Sequence, residues 1–207
     1  MKKVESGIIA TVTGGQEVGV MTTCHAAAEL IPHALFLLSK TTRKYPEGDP
    51  RNAMYEFIDE VTFTVQHYAR AFAFSMLHTG IGVAQARFGV APDTIDDILR
   101  SDAVGLADFS IQSVTSLRQY IPNDRLLSHI PFFLLAPPDD ILAARLKRRE
   151  LSPKEINTRL LATKALEQEA RSKNFTPWVF IENDKEANVV ARRIHDAIKT
   201  HRRLHKV

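Results

Sequence analysis

Apolar residues in this chain come mostly as short unbroken runs, not as alternating patterns. Gly7-Ile-Ile-Ala-Thr-Val-Thr13 is the clearest of them. A β-rich run of this length, closed by Gly14-Gly15, predicts a strand covered on both faces, as in a parallel sheet. Residues 34–38, 103–109, 132–135 and 178–181 predict four more buried strands. Helices are predicted between them. Residues 22–30 are rich in helix formers and stop before Pro32, and residues 93–99 follow Pro92, a residue suited to a first helical position. Two further helices are expected over 139–148 and 153–171, the second long and amphipathic, and a closing helix over 186–201 with Val189, Val190, Ile194 and Ile198 on its inner face. Strands alternating with helices predict an α/β layered fold with a mostly parallel sheet, whose ligands belong at the carboxyl ends of the strands.

Two segments break this pattern. Residues 41–52 hold two prolines and a glycine among charges and read as a loop. Residues 55–83 carry Tyr55, Phe57, Phe63, Tyr68, Phe72 and Phe74 at mixed spacing, which suggests a small β-containing insertion or cap. There is no internal repeat, low-complexity tract or interdomain linker.

Composition narrows the class. With 207 residues, 44% hydrophobic and 25% charged, the chain is an ordinary globular domain, and disordered or collagen-like classes are excluded. Cys24 is the single cysteine, so no intramolecular disulfide forms and a reducing compartment is expected. Lys2 and Lys3 precede an apolar run far shorter than the roughly 18 residues of a membrane span, so a cytoplasmic protein with no membrane partner is expected. The net charge of +3 hides two basic clusters, Arg145 to Arg149 and Lys199 to Lys206, which favour anionic partners. No aromatic residues interleave the basic tail; helix-end charge complementation is its simpler reading, and nucleic acid is not the expected partner. The eight histidines lack zinc-ligand spacing, so no structural metal is expected. Cys24, near a helix start, is either an activated thiol or, more simply, a buried inert one.

The turn after the first strand carries the most chemistry. Gly14-Gly-Gln-Glu-Val-Gly19 places two glycines at the separation of a phosphate-binding loop. Such a loop continues with Lys, which reaches the β and γ phosphates, and Ser or Thr, which holds magnesium. Here Val20 and Met21 follow, with Thr22 and Thr23 one and two places late. Backbone N–H groups at a helix start still suit one phosphate, while Glu17 repels it, so reduced nucleotide affinity is expected. A plain strand-to-helix turn is the alternative.

Further motifs follow in order. Ser39-Lys-Thr-Thr-Arg43, Gly48 and Tyr55-Glu-Phe57 resemble the monophosphate-binding loop of guanylate kinases. Arg87-Phe-Gly89 resembles that family's Tyr-Tyr-Gly segment, 107–112 its aspartate-bearing strand end, Ala136-Pro-Pro138 the turn before its lid, Arg145-Leu-Lys-Arg148 and 156–160 its arginine-bearing lid, and Asn183-Asp184 its adenine-side loop. The resemblance spans residues 7 to 198. It implies a P-loop NTPase-like three-layer α/β fold with a mostly parallel central sheet. Within one domain it implies a core of 1–38, 90–144 and 160–207, a monophosphate-binding insertion of 39–89 and a helical lid of 145–159.

Carried over by position, the resemblance implies phosphate-loop residues Gly14, Gly15, Gly19 and Thr22 and a monophosphate site of Ser39, Arg43, Asp49, Tyr55 and Phe88. Catalytic arginines would be Arg145, Arg148 (or Arg149) and Arg159, with Asp108 near magnesium and Asn183 on the adenine side. Several positions depart from the family. Pro46 stands where a second phosphate-binding arginine is usual, Asp49 replaces a glutamate, and Phe88 a tyrosine. Val90, Ser110 and Phe74 fall at or near positions that contact guanine, and the segment between Phe74 and Arg87 is about five residues longer than usual.

Simpler readings stand beside these: Arg43 paired with a surface carboxylate, and 145–149 as a solvated helix face. The expectation is a guanylate kinase-like protein with eroded ATP and GMP sites, a catalytically impaired binding module for an anionic small molecule, nucleotide or phosphorylated ligand. The alternative is a divergent kinase for a nucleotide or sugar phosphate, with Arg145, Arg148 or Lys40 replacing the missing lysine. Only that alternative requires magnesium and ATP as cofactors. Monomer and homodimer are both compatible with the sequence.

Overall fold

The computed structural model describes residues 7–79, 85–172 and 176–205. Lys2, Lys3, Lys206 and residues 80–84 of the longer segment between Phe74 and Arg87 lie outside these residues. The chain runs β1 (Ile8–Gly14), α1 (Val20–Leu30), β2 (Ala34–Phe36), β3 (Ser39–Thr41), β4 (Tyr55–Phe57), α2 (Glu60–Tyr68), β5 (Phe74–His78), β6 (Ala86–Val90), α3 (Pro92–Arg100), β7 (Val104–Asp108), α4 (Ile111–Tyr120), β8 (His129–Leu134), α5 (Asp139–Lys147), α6 (Pro153–Ser172), β9 (Val179–Ile181) and α7 (Ala187–His205).

β2, β7, β1, β8 and β9 lie side by side in that order and every pair is parallel. The unbroken apolar run of β1 has a direct cause. Ile8, Ala10 and Val12 face a core built with α1 and α7, and Ile9 faces a second core built with α3 and α4. A helix layer covers each face, so Ile8 to Thr13 are all buried. Two threonines of β1 are buried with partners: the Thr11 hydroxyl meets His129 Nε2 at 2.9 Å, and the Thr13 hydroxyl donates to the Phe109 carbonyl at 2.6 Å. Their hydrogen bonds offset the cost of removing hydroxyls from water.

A second sheet, ordered β4-β3-β6-β5, holds residues the sequence reading placed in a loop and a cap. Ser39–Thr41, which opens the motif that resembles a monophosphate-binding loop, is a strand, and residues 50–53 form a 3-10 turn, so the loop expected over 41–52 shrinks to 42–49. Pairing is parallel between β3 and β4 and antiparallel elsewhere in this sheet.

Three expectations are corrected. α4 was not predicted, although Ser110 caps it by accepting from the Ser113 N–H, and Ile111, Val114 and Leu117 form its buried stripe. The last strand of the first apolar set ends at Phe36, and Leu38 is exposed. Val189 is 44% exposed on α7, whose inner face is Val190, Ala191, Ile194 and Ile198. At about 100° per residue, positions 190, 191, 194 and 198 share one face of the helix and position 189 falls on the opposite side. The helix also runs to His205, with Arg202 and Arg203 in its last turn, where cations complement the helix dipole.

Candidate functional site

The carboxyl ends of β1, β7 and β8 converge, and the loop of residues 14–19 leaves β1 there. Val18 is fully buried and anchors the loop in the core under α1 and α7. Gly15 is required by close approach, because a Cβ there would lie 2.5 Å from the branch atoms of Thr163 on α6. Gly19, the N-cap of α1, has φ of 104°, a conformation that L side chains rarely adopt.

The loop is held from its outer side. Arg145 Nη1 donates to the Val18 carbonyl at 3.0 Å, and the Asn183 amide donates to the same oxygen. Arg149 Nε lies 3.3 Å from Glu17 Oε1. Thus Glu17, expected to repel an anion, is paired with a guanidinium. Between these groups opens a cleft of about 400 Å³ lined by Glu17, Gly19, Thr22, Arg145, Arg148 and Asn183. Gly19, Thr22, Arg145, Arg148 and Asn183, which the resemblance put on phosphate-loop, catalytic and adenine-side positions, therefore line one cleft, and the basic cluster is not simply a solvated face. Lys40 does not line it; its ammonium donates to Gln66 on α2.

Ser39, Arg43, Asp49, Tyr55, Phe88 and Asp108 group around a second centre. The β3–β4 register sets Ser39 opposite Tyr55. The Tyr55 hydroxyl donates to the Asp108 carbonyl at 3.3 Å, and its ring meets Phe88 edge-on at 5.4 Å and Tyr45 at 5.7 Å. Ser39 is 2% exposed and its hydroxyl has no hydrogen-bond partner among the described residues. Asp49 is held in a fork by Arg51, with Nε to Oδ1 at 2.9 Å and Nη2 to Oδ2 at 2.7 Å, which lowers its pKa to about 2. Burial raises the Tyr45 hydroxyl above its ordinary value, against the lowering effect of the nearby Arg43 and Arg51 charges.

Burial pushes the Asp108 carboxyl up to about 6, against the opposing charge of Arg51. The same burial, with Asp108 nearby, raises the Tyr55 hydroxyl and the Cys24 thiol well above their ordinary values. Cys24 is thus a protonated, buried thiol and not an activated one. Burial and then Arg43 lower His78, whose ring stands 5.9 Å from Phe88.

Arg159 lies apart from both groups as described by direct contact. It sits one turn before Thr163 on α6, the residue packed against Gly15, and its Nε is buried with no hydrogen-bond partner among the described residues. The positions expected near guanine are occupied structurally: Ser110 caps α4, Val90 is buried, and Phe74 meets Phe109 edge-on at 5.8 Å. Tyr45, Arg51, His78 and the Glu17–Arg149 pair escaped the sequence reading. A signal existed for Arg51 alone, two residues after Asp49 in a turn. No group of His, Cys, Asp and Glu among the described residues has metal-site geometry, and none of their helices is long and apolar enough to cross a membrane.

No protein-family profile matches the chain. It is 27% identical over 161 residues to the guanylate kinase of Anaeromyxobacter dehalogenans (strain 2CP-C), covering 77% of this chain and 67% of that one. It is 26% identical over 162 residues to the guanylate kinase of Nocardia farcinica (strain IFM 10152), covering 78% and 79%. The guanylate kinase structure from Anaplasma phagocytophilum superposes with a TM-score of 0.63 at 16% identity, over 95% of this chain and 87% of that one. With a parallel five-stranded sheet between helix layers and a glycine loop at its carboxyl edge, the chain has a P-loop NTPase-like α/β fold and is similar to guanylate kinases.

Proposed function

We propose that this protein binds a phosphate monoester, a nucleotide or another phosphorylated ligand, at Ser39, Arg43 and Tyr55, and that its ATP-dependent phosphotransfer is weak or absent. The observation that carries the second half is the loop of residues 14–21. Val20 and Met21 present no cation and no hydroxyl, and Glu17 brings a carboxylate that engages Arg149. Those residues do not fit a magnesium-ATP complex of the usual P-loop kind. Losing one charge contact aimed at a transition state commonly costs about 10²-fold to 10³-fold in rate.

The ligand's base is not expected to be guanine alone. Phe74, Val90 and Ser110 offer no carboxylate to guanine's amino and ring N–H groups, and a site without such partners selects weakly. The cleft beside Arg145, Arg148 and Asn183 and the site around Arg43 lie within the electrostatic reach of one residue, Arg149, whose charge acts on both Glu17 and Asp49.

Isothermal titration tests the reading. Wild-type protein should bind GMP or inorganic phosphate but not magnesium-ATP, and a Val20→Lys, Met21→Ser variant should gain ATP binding. Tight binding of magnesium-ATP by the wild type would refute it. One observation favours a second reading, a divergent kinase using magnesium and ATP: Arg145 already brings a guanidinium to the Val18 carbonyl, 3.8 Å from where a Gly19 Cβ would stand. Under that reading Arg145→Ala abolishes phosphotransfer to a nucleotide or sugar phosphate in a coupled assay.

A further inference from the structure

The loop of residues 14–19 carries a charged side chain at a backbone position that favours none. Glu17 has φ of 59°, in the left-handed region that glycine enters without strain and an L side chain enters at a cost. From this position its carboxylate reaches the cationic end of α5, with Oε1 3.3 Å from Arg149 Nε. The Glu17 and Val18 carbonyls accept from Arg145 Nη1 at 3.5 and 3.0 Å. Two consecutive loop residues thus engage two arginines four positions apart.

The cations of the 400 Å³ cleft differ in what already holds them. Arg145 is committed to the two carbonyls, Arg149 is paired with Glu17, and Lys185 Nζ stands 3.8 Å from Asp184 Oδ2. Arg148 is exposed, lines the cleft, and makes no hydrogen bond or ion pair among the described residues. The cleft therefore offers an incoming anion one unpaired guanidinium with a carboxylate close by. A single charged group can settle on Arg148. Each further phosphate has to displace Glu17 from Arg149 or lie against its negative charge. The Arg149 and Glu17 side chains are 66% and 29% exposed, and ion pairs so open to water hold weakly, so the pair can be broken without endangering the fold.

We infer that Glu17 is the specificity-determining residue of this cleft: its carboxylate is an internal competitor for Arg149, so the cleft admits a ligand with one charged group and turns polyphosphates away. The inference rests on the reading above that magnesium-ATP binds weakly, and it adds a separate cause. Val20 and Met21 leave out contacts that a polyphosphate needs, whereas Glu17 supplies a charge that opposes it.

Titration calorimetry of the full chain with inorganic pyrophosphate, in the absence of magnesium, tests this, with circular dichroism and thermal melting recorded for each variant. Glu17→Gln removes the charge and keeps the side chain's length, and should tighten pyrophosphate by at least roughly fivefold, the effect of one unit charge at about 4 Å in water. Glu17→Gly removes the charge and the backbone strain together. It should match Glu17→Gln in affinity and melt no lower than wild type. Adding Arg149→Met to Glu17→Gln should cancel most of the gain, because the released guanidinium supplies it. The fall of pyrophosphate affinity with salt should be steeper in Glu17→Gln than in wild type, a change that a purely structural role does not produce. Unchanged pyrophosphate affinity in folded Glu17→Gln overturns the inference and leaves the weak magnesium-ATP site standing. A gain confined to Glu17→Gly overturns it as well, since the backbone and not the carboxylate is then the obstacle. Tight magnesium-ATP binding by wild-type protein overturns both.

Discussion

Gly15→Ala tests how tightly α6 is pressed onto the phosphate-loop region. A Cβ at residue 15 would lie 2.5 Å from Thr163 Cγ2, 2.5 Å from Thr163 Oγ1 and 2.9 Å from Thr163 Cβ. Rotating the threonine about χ1 moves its two branches but leaves its own Cβ in place, so no rotamer clears the overlap. Thr163 is 3% exposed, and the helix has to yield or the loop has to shift. Overpacking by one carbon costs about 1–3 kcal/mol. For a chain of this size about 1 kcal/mol moves the melting temperature by about 2–4 °C, so the variant should melt roughly 2–12 °C below wild type. Thr163→Ala removes both branch atoms and leaves a single close contact. The double variant should therefore be more stable than the sum of the two single losses by about 1 kcal/mol, read from urea midpoints in a double-mutant cycle. If Gly15→Ala melts with wild type, or Thr163→Ala fails to rescue it, the close approach of α6 to the loop is wrong.

Two further predictions use the buried titratable groups and the corrected face of α7. Burial holds His129 down to about 3, so between its ordinary value and that pH the unfolded chain binds more protons and stability rises with pH, by up to about 1.4 kcal/mol per unit. Asp108, raised from 3.8 to about 6, gives the opposite slope, because there the folded chain binds more protons. Urea midpoints between pH 4 and 7 should show Asp108→Asn rising with pH throughout and His129→Gln falling between about 4 and 6; parallel profiles for the two variants and wild type contradict both assignments. On α7, Ile194→Ala should lose about 2–5 kcal/mol whereas Val189→Ala should lose less than about 0.5 kcal/mol, and equal losses in chemical denaturation would restore Val189 to the inner face.

The parts of the fold that the sequence displayed are those with a local physical cause. β1 reads as a buried strand because both of its faces are covered, and that demand leaves an apolar run behind. The short strand Ser39–Thr41 carries no such mark, since Lys40 between two small polar residues matches loop composition, and its strand state comes from pairing with Tyr55–Phe57 and with β6. α4 went unread because its buried stripe is broken by Ser113 and Thr115, while its cap signal is a single serine. Of the residues that the structure groups in the two candidate sites, Arg43, Tyr55, Asn183 and Arg145 were singled out by motif, and Tyr45 and Arg51 were not. Their importance lies in what they touch.

By itself the sequence determined the five strands of the parallel sheet, the place of the glycine loop at a strand end, and the chemistry that loop lacks, because Val20 and Met21 are neither cationic nor hydroxylic in any conformation. Tertiary structure alone decided which arginine does what. Arg145 binds a carbonyl 127 residues away in the chain and Arg149 pairs with Glu17, while Arg148 faces the cleft. Three arginines within five residues have nearly the same local preferences, so only the packing of α5 and α6 against the loop, at distances of a few ångströms, separates their roles.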